Sequence, residues 1–205
     1  MSDDGIRVAL TFDAEHPSRP RAPEGNADRI LDALADRRAR ATFFVQGRWA
    51  TANPDTAARI AEDGHLVGNH SHFHARMPLF SPEGMRTDVV AAEERIAAII
   101  GTTTRPWFRC PFGAGHDDPA VRAVLDRLGF RSVGWDVEVG DWEPWRSADD
   151  IASEVMEGVV AAGDGAVVLL HAWPRSTAEA VPRILEGLAG AGARLVGVDE
   201  LDRIP

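Results

Sequence analysis

Short apolar runs alternate with longer segments of helical period along almost the whole chain, and no other feature restricts the fold as much. Strand-like runs occupy residues 7–12, 41–45, 65–68, 107–109, 131–135, 167–170 and 194–198. Helical stretches fall between them. Asn26 is a candidate cap for a helix carrying Ile30, Leu31 and Leu34 on one stripe, and Pro54 suits the first turn of the next. Ser81-Pro82-Glu83 opens the longest helix, which runs to Gly101, and later ones are expected over 117–128, 148–161 and 177–188. Residues 17–25 and 140–147 read as irregular loops. Seven strands with interleaved helices predict an α/β fold, either a barrel or an open doubly wound sheet, and periodicity does not choose between them. Both place their active sites at the C-terminal ends of strands.

Composition excludes several classes. The chain has 205 residues, which favours one domain over residues 1–205. A net charge of −10 argues against nucleic-acid binding, and no apolar stretch approaches the roughly 20 residues needed to span a bilayer. One cysteine, Cys110, excludes an internal disulfide framework. The acidic start, Met1-Ser2-Asp3-Asp4, has neither a basic region nor an apolar signal core, so a cytoplasmic location is expected.

The strand ends carry the chemistry. The first run closes on Thr11-Phe12-Asp13-Ala14-Glu15-His16, and the third leads into His70-Ser71-His72-Phe73-His74. Were the latter helical, His70 and His74 would lie one turn apart on one face. Two imidazoles and a carboxylate suit a divalent ion with positions left open for water and substrate. The fourth run ends Arg109-Cys110-Pro111-Phe112-Gly113, a rigid turn whose arginine can pair with a carboxylate. Residues 136–142 bring Asp136, Glu138 and Asp141 beside Trp142, and the sixth run ends Leu169-Leu170-His171-Ala172-Trp173. A histidine at the end of a buried strand, with carboxylates on a neighbouring loop, is a candidate acid tuned by pairing.

In this order the five clusters resemble the polysaccharide deacetylases of carbohydrate esterase family four, whose motifs read T-F-D-D, H-[ST]-x-x-H, R-x-P-[YF]-G, D-x-x-D-W and L-x-H. The resemblance covers nearly the whole chain and implies a distorted (β/α) barrel, seven-stranded. It also implies hydrolysis of an acetyl amide on a carbohydrate, free, oligomeric or polymeric, with one divalent metal ion. Zinc is the first choice, and cobalt, nickel, iron and manganese fit the same ligands. Asp13 would be the base, His171 the acid, Arg109 the residue holding Asp13, and Asp141 the partner of His171. A backbone N–H near Phe112 would stabilise the oxyanion, and Trp142 and Trp173 would line the substrate pocket. The usual second aspartate falls at Ala14, so the metal set is expected to be Glu15, His70 and His74, with His16 the alternative to Glu15. Trp145 is placed equally on sugar or in packing, and Trp49, Trp107 and Trp135 in the core. The rival readings are hydrolysis of a non-sugar amide or O-acetyl ester, and a non-catalytic carbohydrate-binding remnant, the last motivated by Ala14. Oligomeric state is not encoded in any of these features.

Overall fold

A computed structural model describes residues 5–15 and 25–205. It contains β1 (Arg7–Ala14), α1 (Asn26–Asp36), β2 (Thr42–Val45), α2 (Gly47–Ala52), α3 (Pro54–Glu62), β3 (Leu66–Asn69), α4 (Pro82–Ile100), β4 (Trp107–Phe108), α5 (Pro119–Arg127), β5 (Arg131–Ser132), β6 (Val137–Glu138), α6 (Ala148–Ala162), β7 (Ala166–His171), α7 (Arg175–Gly190) and β8 (Arg194–Leu195). Seven strands follow the order β5-β4-β3-β2-β1-β7-β6, and β8 pairs with the start of β1. Every strand pairing among the described residues is parallel.

The sheet must curl. β5 and β6 are its opposite edges, yet only residues 133–136 separate them. Seven strands laid flat at about 4.8 Å would put those edges roughly 29 Å apart. The linking backbone reaches at most about 18 Å. The result is the expected distorted barrel, with its gap bridged by the chain between β5 and β6.

The strand expected over 131–135 is therefore confined to 131–132, and a separate short strand over 137–138 lies on the opposite edge. The next carbonyls of the expected run serve another partner: Val133 O and Gly134 O accept from Arg109 Nε and Nη2 at 3.3 and 2.9 Å, which withdraws them from a ladder. The last expected strand also stops early, at Leu195, and passes into a 3₁₀ turn over Val198–Glu200. Helix starts follow the capping chemistry more closely. Ser81, Asp118 and Ser147 each accept a backbone N–H of the first turn. Asn26 does not cap α1; that position belongs to Gly25 in the left-handed region, and Asn26 Nδ2 instead donates to Trp173 O at 2.8 Å. Helix α2 had no expectation in the sequence, and α7 starts two residues before its expected range, with Pro182 inside it.

Alternation along β1 divides the interior into two layers. Val8, Leu10, Phe12 and Ala14 face outward into the main core, against Ile30, Leu31, Leu34, Ile184 and Leu188 of the surrounding helices. Ala9 faces into the barrel with Phe44, Val133, Val167, Val196 and Val198. Thr11 and Asp13 continue that inner row toward the C-terminal mouth, and Glu15 follows at the same period. Apolar side chains fill the floor of the barrel, and polar ones line its opening. Because both faces of the central strands are buried, their hydropathy shows a continuous run instead of an alternation. Among the described residues no helix is long and apolar enough to cross a membrane.

Candidate active site

Asp13 is the hub of the mouth. Arg109 Nη1 donates to its Oδ1 at 2.9 Å and to Thr11 Oγ1 at 2.7 Å. Arg109 has no exposed surface, and its guanidinium lies 4.1 Å from the Phe44 ring centre. Four hydrogen-bond acceptors and an aromatic face hold this cation rigidly, so one oxygen of Asp13 is fixed and the other, Oδ2, is turned to His70 Nε2 at 3.4 Å.

His70 Nδ1 lies 2.9 Å from Arg109 O and so carries its proton there, leaving the Nε2 lone pair facing carboxylates. That Nε2 is buried without a hydrogen-bond partner, 3.4 Å from Glu15 Oε2. His74 Nε2 meets the same Glu15 oxygen. Burial opposes a charge on His70, but Asp13 and Glu15 outweigh it and raise its pKa above the ordinary imidazole range. Donor atoms of Glu15, His70 and His74 all lie within 4.8 Å of one another. An imidazole lone pair confronting two carboxylates is satisfied by a shared cation, and the two-nitrogen, one-carboxylate set fits a divalent ion of borderline softness. Strand period explains why Glu15 can serve: residues 13 and 15 point to the mouth, while Ala14 points into the outer core.

The histidine segment is a loop, contrary to the helix considered from spacing. Ser71 and His74 have left-handed φ of 66° and 57°, which no α-helix accommodates. Side chains fold it instead. His74 N–H donates to Ser71 Oγ, Ser71 N–H to Asn69 Oδ1, and the N–H groups of His72 and Phe73 to the two oxygens of buried Asp88 on α4, each at 3.0 Å. Asp88→Ala should therefore loosen the two imidazoles. Metal affinity is expected to fall by about 10–100-fold in a chelator competition titration, with a lowered Tm; unchanged affinity would show that the loop holds its shape without Asp88.

Opposite Asp13, on the neighbouring strand and in register with it, stands His171. Its Nδ1 lies 2.8 Å from Asp141 Oδ1, and Asp141 Oδ2 accepts from the His171 N–H at 2.7 Å and from Thr177 Oγ1 at 2.6 Å. Burial disfavours the imidazolium, but Asp141, with smaller contributions from Glu15 and Asp13, raises the His171 pKa to about 9. The acid form therefore predominates at neutral pH.

Asp13, Glu15 and His171 line a cavity of about 260 Å³ with His74, Phe112, Trp135, Glu138, Trp142, Leu169 and Trp173. An adjoining groove of about 850 Å³ shares Trp142 and Trp173 as walls. Residues 2–133 match the polysaccharide deacetylase family. The chain belongs to that family. It is 32% identical over 198 residues to the peptidoglycan-N-acetylglucosamine deacetylase PgdA of Listeria monocytogenes, covering 95% of this chain but only 38% of that relative's length. The family 4 carbohydrate esterase of Streptomyces lividans, solved with acetate, superposes with a TM-score of 0.80 at 34% identity over 93% of this chain and 91% of that one. A pseudoenzyme of the same family from Bacillus anthracis superposes with a TM-score of 0.84 at 27% identity, over 98% of this chain and 66% of that one.

All ten site residues expected from the polysaccharide deacetylase motifs gather at this mouth. His16 lies outside the described residues, as do 17–24 of the first expected loop. Trp142 meets His171 edge to face, with ring centres 5.1 Å apart. Trp173 lines the cavity and also has a second task, its indole N–H donating to Glu15 Oε1 at 3.2 Å. Phe112 sits in a left-handed turn with Gly113, its half-exposed ring 4.5 Å from His74 and capped by the Arg76 guanidinium at 4.7 Å. Trp135 packs on the inner apolar core, as expected, and beyond that expectation also lines the cavity, where the break between β5 and β6 turns it inward. Trp145 is 74% exposed and lines neither the cavity nor the groove. Sequence reasoning missed Asp88, Thr177 and the pocket position of Glu138. Only the last carried a signal, its place beside Asp141 and Trp142.

Proposed function

We propose that this chain is a metal-dependent amidohydrolase that removes acetyl groups from an N-acetylated carbohydrate, with zinc as the first choice of ion. The observation that carries the reading is the pairing, across one cavity, of a carboxylate held by a buried arginine with a histidine held by a buried aspartate. The first can only accept a proton and the second is charged to donate one, which is the division of labour amide hydrolysis requires.

A divalent ion on Glu15, His70 and His74 would supply Lewis acidity, polarising the acetyl carbonyl and lowering the pKa of water. Asp13 Oδ2 takes the proton of the attacking water while Arg109 keeps Oδ1 in place. The backbone N–H in the Phe112 turn donates to the developing oxyanion. His171 Nε2 delivers a proton to the leaving nitrogen, without which an amine departs poorly, and Asp141 holds the opposite ring nitrogen. Trp142, Trp135 and Leu169 offer apolar surface to the acetyl methyl and the sugar face.

Relatives named for peptidoglycan and chitooligosaccharide deacetylation support a carbohydrate as the substrate. The open groove beyond Trp142 and Trp173 favours an oligomer or polymer over a small amide. Likeness to a pseudoenzyme means that the fold alone does not decide catalysis. Here Glu15 completes the ligand set that Ala14 cannot.

The test is metal content of the wild type beside a His70→Ala/His74→Ala double mutant, paired with acetate release from N-acetylated sugars and simple acetyl esters. About one ion per chain, lost in the mutant together with acetate release, is the expected result. Metal without release from any sugar would shift the substrate to another amide or ester, and no metal in either protein would leave a sugar-binding remnant. Glu15→Ala is expected to lose the ion as the double mutant does. Retention of it there would assign the third ligand to another carboxylate.

A further inference from the structure

Three carboxylates line the cavity, and the mechanism uses two. Asp13 is held by Arg109, and Glu15 by Trp173 and the histidines. The side chain of Glu138, the third, makes no hydrogen bond or ion pair with any described residue and is exposed at the opening. Its direction is set by the sheet. Val137 and Glu138 pair in register with Val168 and Leu169, and in-register neighbours of a parallel sheet project to the same face. Leu169 lies two residues before His171, so both project to that same face, and Leu169 lines the cavity. Val137 takes the opposite face and packs on Gly158 of α6. Glu138 is thereby aimed into the mouth one strand across from Leu169, with Trp135 and Trp142 in the same wall.

We infer that Glu138 determines specificity by accepting a hydrogen bond from a hydroxyl of the acetamido-bearing sugar ring. The inference rests on the carbohydrate reading above. An ionised carboxylate is an acceptor only, with room for two donors, and on a linked N-acetylglucosamine ring the C3 hydroxyl beside the acetamido carbon and the C6 hydroxyl are the donors available to it. Aromatic faces beside it suit the apolar face of the same ring. A substrate with an acetyl group but no hydroxyls would leave this carboxylate without its donors, so the residue selects against it.

Glu138→Ala and Glu138→Gln separate this role from a structural one, because the side chain is exposed and its loss leaves no cavity. Each variant, metal-loaded, is assayed on N-acetylglucosamine oligomers and on 4-nitrophenyl acetate. Glu138→Ala is expected to lower kcat/KM for the oligomers by about 10–100-fold, with Gln intermediate, while 4-nitrophenyl acetate hydrolysis changes by less than about twofold. Equal losses on both substrates, or an undiminished rate on the oligomers, overturns the assignment. A wild type that cleaves the aryl ester but no acetamido sugar overturns the carbohydrate reading itself and this inference with it.

Discussion

Asp13→Asn is expected to lower kcat on an N-acetylated sugar by about 10³-fold while the ion stays bound, since removal of a positioned general base costs on the order of 10²–10⁴. Asparagine keeps an oxygen for Arg109 Nη1 but loses both the basic oxygen turned into the cavity and the charge opposite a guanidinium with no exposed surface. Breaking a buried pair in this way costs about 3–5 kcal/mol, so Tm should fall as well. The two effects are separated by measuring turnover well below the melting range, with metal content determined on the same sample. A fall of less than tenfold, with metal retained, would remove Asp13 from the role of base and leave it as a partner for Arg109.

His171 carries the second large effect, and it depends on the leaving group. His171→Ala should lose about 10²–10⁴ in kcat/KM on an acetamido sugar, whose amine needs a proton to leave, and far less on 4-nitrophenyl acetate, whose phenolate leaves unaided. Comparable losses on the two substrates would contradict an acid at this position. The pH dependence has a definite sign. The active form of His171 is protonated, so activity on the sugar falls as pH rises through its pKa, about 9 in the structure and lower once a cation offsets Glu15 and Asp13. Asp141→Asn removes the main cause of the elevation, and its basic limb should move to lower pH. Stability follows the same linkage. A folded-state pKa above the ordinary value of about 6.5 contributes stability that is complete below pH 6.5 and lost as pH rises through about 9. Melting of the metal-free protein between pH 6.5 and 9.5 should show that decline in the wild type and a weaker one in Asp141→Asn.

Both residues, and the candidate ligands Glu15, His70 and His74, were legible as a cluster before any coordinates, because each sits at the end of an apolar run where a parallel α/β fold exposes its side chains; their roles came from the motif resemblance. Glu15 came from that resemblance, with His16 as its alternative, and the structure supplies the reason it can serve: β1 runs through Ala14, so residues 13 and 15 share a face and the methyl group of Ala14 takes the other. The histidine loop was not legible. Spacing of four suggests a helical turn, whereas the actual conformation depends on Asp88, fourteen residues beyond His74 on a helix that packs beside it. Trp173 is similar, since its bond to Glu15 joins residues 158 positions apart.

Local spacing by itself determined the βα alternation and the helix start at Ser81, and with the motif resemblance the groups at the mouth, because period, capping and residue chemistry act over a few bonds. Only the tertiary structure decided that the sheet curls until β5 and β6 approach, that Arg109 turns two carbonyls out of the ladder and ends the expected strand at Ser132, and that Trp135 and Glu138 face the cavity. Those outcomes follow from the register of parallel strands separated by whole helices, and from a buried cation that must collect its acceptors wherever the closed barrel supplies them.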